Sequence, residues 1–277
     1  MNSTRRQILR SPPVLISGSI ILVLVLVAIF ADQLMPYDPY KMNPRSAYGM
    51  PSGDFLLGND DFGRDVLSRL ILGSRISLGV SLVSVTVALS VGVLLGLLAG
   101  YYGGWTDTII MRAMDVILSF PTIVLAISVI AFLGNSLLNV IWVIALLNVP
   151  RFARLVYTST LSTKQNQYVE AAQSIGTSDA RILLRAILPN IMAPIFVQIA
   201  LSLGAAIIVE SGLSFLGLGV PPPEPSWGTM VATARKIMGR QPNMVIWPSL
   251  ALAITVLSFN ILGNGLRDVF DPRLRQR

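Results

Sequence analysis

Long runs of apolar residues, separated by polar segments, dominate the pattern along the chain. A helix that crosses a membrane needs about 20 mostly apolar residues, and the first such run, 14–30, contains no charged residue. Similar runs recur through the rest of the chain. We predict an all-α, polytopic membrane protein with about six transmembrane helices, at 14–30, 76–99, 108–133, 137–149, 191–209 and 247–262.

Basic residues before the first run raise an alternative. Arg5, Arg6 and Arg10 precede it, as in the charged start of a secretory signal peptide, and the same stretch faintly resembles a twin-arginine signal. However, the run is longer than the apolar core of a usual signal peptide, no clear Ala-x-Ala site follows, and further runs come later. We therefore expect it to remain as the first transmembrane helix.

Glycines and prolines inside the runs predict how the helices pack and bend. Gly92, Gly96 and Gly100 recur at every fourth position, so they share one helix face and favour close packing against a neighbouring helix. Pro121 predicts a kink in the third span, and Pro150 predicts the end of the fourth.

Composition supports the membrane assignment. Of the 277 residues, 53% are hydrophobic and 13% charged, and the mean hydropathy is +0.68, whereas a soluble domain carries roughly a quarter charged residues. The net charge of +7 comes from scattered basic residues. Because they form no dense patch, we expect a basic cytoplasmic face and no nucleic-acid partner.

The distribution of basic residues predicts an orientation. With both termini inside, 13 of the 21 Lys and Arg residues fall on the inner side, as the positive-inside rule favours. The chain then divides into a cytoplasmic N-terminus (1–13), the first helix with an external loop (14–75), a core (76–266) that contains a cytoplasmic loop (150–190), and a cytoplasmic C-terminus (267–277).

Missing residue types limit the chemistry. The chain has neither Cys nor His, which removes thiolate and imidazole metal ligands, cysteine nucleophiles and triads with a His base. It also lacks a Gly-x-x-x-x-Gly-Lys loop for ATP phosphates. We expect a non-catalytic chain without a metal or cofactor of its own, and an intramembrane enzyme is disfavoured.

Charged and small residues near the spans give candidate pathway positions. Arg112 and Asp115 are one helical turn apart, so a mutual ion pair is the expected arrangement. Glu210, near the outer end of the fifth span, has no obvious local partner and is a possible pathway or gate residue, together with Ser202 on the same small-faced helix.

The outer loops carry their own predictions. The stretch 63–75 is expected to be a short helix start stabilised by local ion pairs of Asp65 with Arg64, Arg69 and Arg75, and a contact for an external solute receptor is the alternative. The residues 221–225 are expected to be stiff and extended and to shape the external loop near the gate. A proline-motif ligand is the alternative, disfavoured by the position of the run outside and between spans. Trp227 and Trp247 suit the membrane interface.

The polar segment 167–190 has the strongest local signals. Residues 168–175 can form two helical turns, and Gly176 suits the left-handed residue that ends a helix. Ser178 or Asp179 can cap a second, amphipathic helix, and Pro189 marks where the chain turns into the next span. The apolar stripe of that second helix is expected at Ile182, Leu183, Ala186 and Ile187.

Within this segment, Glu170-Ala171-Ala172, then Gly176, then Leu188-Pro189 resembles the EAA loop of ABC importer permeases. The family pattern usually has Ile two positions before Leu-Pro, where this chain has Ala186. The resemblance implies a coupling helix that docks into a cleft on an ATPase subunit. Small alanines would allow close approach, and Glu170 would pair with a basic residue across the interface.

Three further stretches, at 57–78, 213–228 and 260–273, resemble the dipeptide/oligopeptide/nickel permeases, and their "C"-type subunit in particular. The resemblance implies a MetI-like core in the bacterial inner membrane. It also implies a second, homologous permease, two ATP-binding subunits that bind the ATP, and a periplasmic solute-binding protein. The expected solute is a di- or oligopeptide. Nickel or another small solute is the alternative, and a stand-alone channel or secondary transporter is a rival from another class.

Overall fold

The architecture comes from a computed structural model that describes residues 11–239 and 241–270. It is helical throughout, with one isolated β-bridge between Asn59 and Asp65. The basic residues predicted for the two cytoplasmic termini, apart from Arg267, lie outside the described residues, as does Arg240. The helices are α1 (Pro12–Ile29), α2 (Ala31–Leu34), α3 (Val66–Tyr102), α4 (Gly104–Ser119), α5 (Thr122–Leu133), α6 (Leu137–Lys164), α7 (Gln167–Ser174), α8 (Asp179–Arg181), α9 (Met192–Phe215), α10 (Trp227–Arg235) and α11 (Asn243–Phe270).

Five helical stretches are long and apolar enough to cross a membrane, namely α1, α3, α6, the continuous path 179–215, and α11. The pair α4 and α5 passes the same test only together, and it is bent by 93°. The bend falls at Phe120 and Pro121, which are extended, so the kink predicted at Pro121 is confirmed and breaks the helix fully. The all-α membrane fold with five to six spans is therefore confirmed.

The fourth span does not end near Pro150. Helix α6 continues through Pro150 to Lys164, so residues 150–164 belong to a helix and the predicted cytoplasmic loop 150–190 is shorter than expected. The cost of an internal proline is outweighed here by packing, because Val149 and Phe152, which flank Pro150, are buried against Gly92 of α3. The prediction failed because it considered only the local effect of proline.

The glycine stripe of α3 is the surface on which α6 packs, as predicted. A Cβ atom placed on Gly96 would lie 2.6 Å from the carbonyl oxygen of Ala153, and one on Gly92 would lie 2.5 Å from the Cβ of Phe152. Gly100 is equally close to Thr160. Because these distances are shorter than van der Waals contact, only glycine permits this approach of the two backbones.

The length of α3 defines two opposite ends of the molecule. Its 37 residues extend about 55 Å at 1.5 Å per residue. We call the end with residues 35–65 and 216–242 the loop face, because both segments contact the first turns of α3. The other end carries residues 165–191, which we call the coupling segment.

The start of α3 is held by polar contacts that differ from those predicted. Asp65 caps the helix, accepting a hydrogen bond from the backbone N–H of Ser68 at 2.8 Å, and it makes no ion pair with any residue in 11–239 or 241–270. Arg64 and Arg69 instead share Asp60, at 2.7 and 3.3 Å. Residues 66–75 are the first turns of α3 and form no separate short helix.

Trp227 lies in the protein interior, not on the outer surface where an interfacial tryptophan is expected. It is 1% exposed, its Nε1 donates to the carbonyl oxygen of Leu70 at 3.1 Å, and its backbone N–H donates to Ser77 Oγ at 3.2 Å. The ring also packs on Gly73. The loop face folds back over α3 and buries this side chain, which a hydropathy pattern cannot reveal.

Candidate coupling and pathway site

The coupling segment begins with α7, which ends in the predicted left-handed glycine. Gly176 has φ +75°. Its N–H donates a hydrogen bond to the carbonyl oxygen of Gln173 at 3.0 Å, and the N–H of Thr177 donates one to the carbonyl oxygen of Ala172 at 3.1 Å. These two bonds form a Schellman motif, which satisfies the free carbonyls at the helix end. The short helix and the sharp turn after it therefore follow from the local sequence.

The second half of the coupling segment continues into α9 as one helical path, without a sharp change of direction. After Ser178, which is extended and starts α8 without a side-chain cap, the chain passes through a π-helical turn (Ile182–Ile187) and a 3-10 turn (Leu188–Ile191). Pro189 thus does not mark a change of direction. The wider π turn accommodates the proline, because it relaxes the regular hydrogen-bond ladder that the ring would break.

An apolar core fixes the coupling segment to the ends of two spanning helices. Val169 of α7 is fully buried and packs in one cluster with Leu97 of α3 and Val156 of α6. The predicted apolar stripe joins the same cluster, with Ile182, Leu183 and Ile187 buried and Ala186 partly buried. Because α7 is anchored on both α3 and α6, a displacement of α7 must act on both helices.

Tyr101, near the end of α3, connects the two halves of the coupling segment. Its hydroxyl donates to Asp179 Oδ1 at 2.8 Å and accepts from Gln173 Nε2 at 3.4 Å. Lys164 Nζ donates to its carbonyl oxygen at 2.6 Å and lies 5.3 Å from its ring centroid. Sequence reasoning missed this residue. One feature of the sequence could have indicated it, namely that Tyr101 is a tyrosine at the polar end of a long apolar run.

The outer surface of the coupling segment is open to solvent and carries exposed apolar groups. Ile175 is 81% exposed and Tyr168 is 45% exposed. The six residues predicted for coupling divide between this surface and the interior. Exposed are Glu170, Ala171, Gly176 and Pro189, and half-buried are Ala172 and Leu188.

Glu210 lies in the interior near the loop face, and it has partners that the sequence did not suggest. Its side chain is fully buried and accepts hydrogen bonds from Ser214 at 2.8 Å and from Ser77 and Ser211 at 3.3 Å. Ser77 belongs to α3, and it also accepts from the first residue of α10. Glu210 therefore holds three helices together at one point.

Ser202 lies two turns before Glu210 on α9 and is also fully buried. Its hydroxyl accepts a hydrogen bond from Gln198 Nε2 at 3.0 Å. The small face predicted for this helix contacts α11, where Gly204 lies close to Phe259. Ser202 and Glu210 thus occupy the same helix but make different hydrogen bonds.

Helix α4 is attached to α6 by two polar contacts. Tyr157 donates to Asp107 Oδ2 at 2.9 Å, and Arg154 forms an ion pair with Asp115. The predicted pair between Arg112 and Asp115 is wrong. The packing of α4 on α6 brings Arg154 to the carboxylate, so a partner distant in sequence replaces the one a turn away.

These observations define a class of protein: a helical, multi-pass membrane protein with a solvent-exposed helical segment fixed to the ends of its spans. The chain matches the family of binding-protein-dependent transport system inner membrane components over residues 92–276. It also matches the N-terminal TM domain of oligopeptide transport permease C over residues 1–51. The chain therefore belongs to this family of ABC importer permeases, which are transport subunits and not enzymes.

Similar proteins support this membership. The glutathione transport system permease protein GsiD of Pectobacterium atrosepticum is 47% identical, covering 98% of this chain and 90% of that protein. The dipeptide transport system permease protein DppC of Alkalihalophilus pseudofirmus is 41% identical, covering 98% and 89%. A solved structure of the inward-facing methionine ABC transporter MetNI matches 73% of this chain and 96% of that chain, with a TM-score of 0.60 and 19% identity. This last likeness shows the fold.

Proposed function

We propose that this permease subunit carries di- or oligopeptides, glutathione-like peptides included, across the bacterial inner membrane. Two relatives at 47% and 41% identity, named for glutathione and dipeptide transport, support a peptide solute. The pathway would form between this chain and a second, homologous permease. A periplasmic solute-binding protein delivers the solute, and two ATP-binding subunits supply the energy.

One observation carries the coupling part of the proposal: a short exposed helix, α7, is fixed by its single buried residue, Val169, to the ends of α3 and α6. A partner that grips the exposed side of α7 can displace these spans without unfolding the segment. Closure of the ATPase subunits on ATP would supply that displacement. The two arrangements of the spans would then alternate access to the pathway.

The exposed side of α7 has the chemistry of a docking surface. Ile175 and Tyr168 supply apolar contact area, Ala171 allows close approach, and Glu170 offers a carboxylate for a basic residue on the ATPase. On the proposed orientation, the coupling segment and both termini are cytoplasmic. The basic side chains of Arg181 and Arg185 on this segment agree with the positive-inside rule.

Glu210 and Ser202 are proposed to act at the gate of the pathway. Glu210 joins α9 to α3 directly through Ser77, and Ser77 in turn receives the N–H of Trp227 in α10. A change in the relative positions of these helices must break or rearrange these bonds. Ser202, two turns before Glu210 on α9, would take part as the packing of this helix changes.

The proposal is tested by reconstituting the chain with its partner permease, ATPase subunits and binding protein in liposomes. We expect uptake of di- and oligopeptides that requires ATP, and little uptake of free nickel. The variants Glu170→Gln and Ile175→Ser should weaken ATPase docking and coupled uptake about tenfold, whereas Gln165→Ala, an exposed change just before α7, should leave both unchanged.

Two results would contradict the proposal. Rapid peptide flux through the chain without ATPase subunits would indicate a channel or secondary transporter. Unchanged ATPase docking and uptake in both α7 variants would show that the coupling surface lies elsewhere.

A further inference from the structure

A cavity of about 210 Å³ lies on the loop face, outside the predicted coupling and pathway residues. Its walls come from the first loop, from the turn at 222–224, and from α10 and the start of α11. The floor is apolar, since Val66, Ala234 and Met244 are all buried there. The cavity has room for one large apolar side chain.

Among the described residues around this cavity, two carboxylates, Glu224 and Asp61, lack a close positive partner. Asp60 takes both arginines of the lining, Arg64 at 2.7 Å and Arg69 at 3.3 Å. Glu224 accepts a hydrogen bond from Tyr40 at 2.8 Å. Asp61 has only a long contact of 3.5 Å to Arg64. Burial, and then the neighbouring charge of Asp60, raises the pKa of Asp61 above its ordinary value.

The surface around the cavity is unusually apolar for a loop. Tyr48 and Phe62 line the cavity and are 44% and 48% exposed, and further exposed apolar residues follow on the same face, at Met50, Leu56 and Met238. These residues lie outside the helical stretches that are long and apolar enough to cross a membrane. Exposed patches rich in tyrosine and methionine mark protein interfaces, so the surroundings favour a protein partner over a free small molecule.

We propose that this cavity seats an apolar side chain of the solute-binding protein, and that a basic residue beside that side chain pairs with Asp61. The apolar floor matches the first group, and the carboxylate at the rim matches the second. The inference rests on the proposed function, which places a binding protein at the loop face. It adds the contact point and the chemistry of the partner's surface.

The absence of cysteine from the chain allows a direct test in the assembled transporter in nanodiscs. A Thr233→Cys variant places a thiol in the cavity wall, and a Thr106→Cys variant places one on an exposed position in the first turn of α4, away from the cavity. We expect the purified binding protein to slow maleimide labelling at position 233 at least tenfold and to leave labelling at position 106 unchanged. Equal labelling at position 233 with and without binding protein would overturn the proposal.

Charge variants test the role of Asp61. Asp61→Asn should raise the Kd of the binding protein about five- to tenfold and reduce its dependence on salt, because a charge at the rim of an interface acts through electrostatic attraction. The matched change Asp54→Asn removes an exposed carboxylate of the same loop that does not line the cavity. It should alter the Kd less than twofold, and equal effects of the two variants would contradict the pairing.

The same measurements distinguish this inference from the proposed function. Protection at position 233 by peptide alone would show a small-molecule site and overturn the docking proposal. Unprotected labelling with normal ATP-dependent uptake would reject the cavity while the function stands. Absence of binding-protein-dependent uptake in the unaltered transporter would reject both.

Discussion

The hydroxyl of Tyr101, near the end of α3, donates a 2.8 Å hydrogen bond to Asp179 at the start of α8. The two residues are 78 positions apart, and the bond joins a spanning helix to the half of the coupling segment that leads into α9. Together with Gln173, which donates to the same hydroxyl, it makes Tyr101 the polar link between α3 and both halves of the coupling segment.

Removal of that hydroxyl should weaken coupling more than docking. We expect Tyr101→Phe to reduce ATP-driven uptake severalfold while ATPase binding changes less than twofold, because the ring keeps its packing and α7 keeps its exposed surface. Uptake and ATPase affinity are measured on the same reconstituted transporter. Tyr37→Phe is the control for loss of an exposed phenol hydroxyl, since Tyr37 is 42% exposed and lies on the opposite, loop face. A parallel loss of uptake and affinity would assign Tyr101 to docking instead.

The contact between Gly96 and Ala153 predicts a sharp difference between two glycines of the same helix. Gly96→Ala should destabilise the fold by about 1–3 kcal/mol, because the new methyl group collides with the backbone of α6 and forces the helices apart. Gly79→Ala, where nothing lies within 4 Å of the added atom, should be neutral or stabilising by up to about 1 kcal/mol. Thermal unfolding in detergent measures both, and equal destabilisation would contradict the packing.

The positions of the glycines in the structure show which features a sequence predicts well. The spacing of Gly92, Gly96 and Gly100 is a local pattern, and so is the helix stop at Gly176. Both predictions were correct because the residue type itself permits the required backbone approach or conformation. The short helix α7, which ends just before that glycine, likewise follows from short-range signals.

The failures share a different cause. Pro150 lies inside α6, Trp227 is buried, and Asp115 pairs with Arg154, and each arrangement depends on a segment far away in sequence. Local reasoning assigns the proline to a helix end, the tryptophan to the membrane interface, and the carboxylate to the nearest arginine. Packing between helices outweighs each of these local preferences, which a single sequence does not reveal.

The two segments of the loop face are tied by Tyr40 and Glu224, and this contact has a pH signature. Burial, and then the hydrogen bond to Glu224, raises the pKa of Tyr40 from 10.0 to about 12. The folded protein thus favours the neutral phenol. The stabilising contribution is complete below about pH 10 and is lost as the pH rises through about 12.

Phenolate absorbance measures this shift. The difference between the unaltered chain and Tyr40→Phe isolates one of seven tyrosines, and we expect it to titrate near pH 12. Glu224→Gln should lower that pKa only in part, because burial is the larger cause. Titration of Tyr40 near pH 10 in the folded chain would show that the two loops are not held together.

Glu210 and Ser77 offer the clearest test of a contact between spanning helices. Glu210→Leu removes the acceptor of three serine hydroxyls, two of them buried, which should cost about 1–3 kcal/mol of stability. Glu210→Gln keeps the shape and one acceptor oxygen, so its effect should be smaller. Ser84→Ala is the control for loss of a buried hydroxyl, since Ser84 bonds only its own helix, at the carbonyl of Val80.

A double-mutant cycle then separates the contact from its surroundings. If the hydrogen bond from Ser77 to Glu210 stabilises the fold, the changes in the free energy of unfolding caused by Ser77→Ala and Glu210→Leu should be non-additive by about 0.5 kcal/mol or more. The pair Ser84→Ala and Glu210→Leu should be additive, because those side chains share no hydrogen bond. Strict additivity in both cycles would mean that α3 and α9 are held together by packing alone. Glu210 could then not transmit a movement of α3 to α9, because no bond between them would resist it.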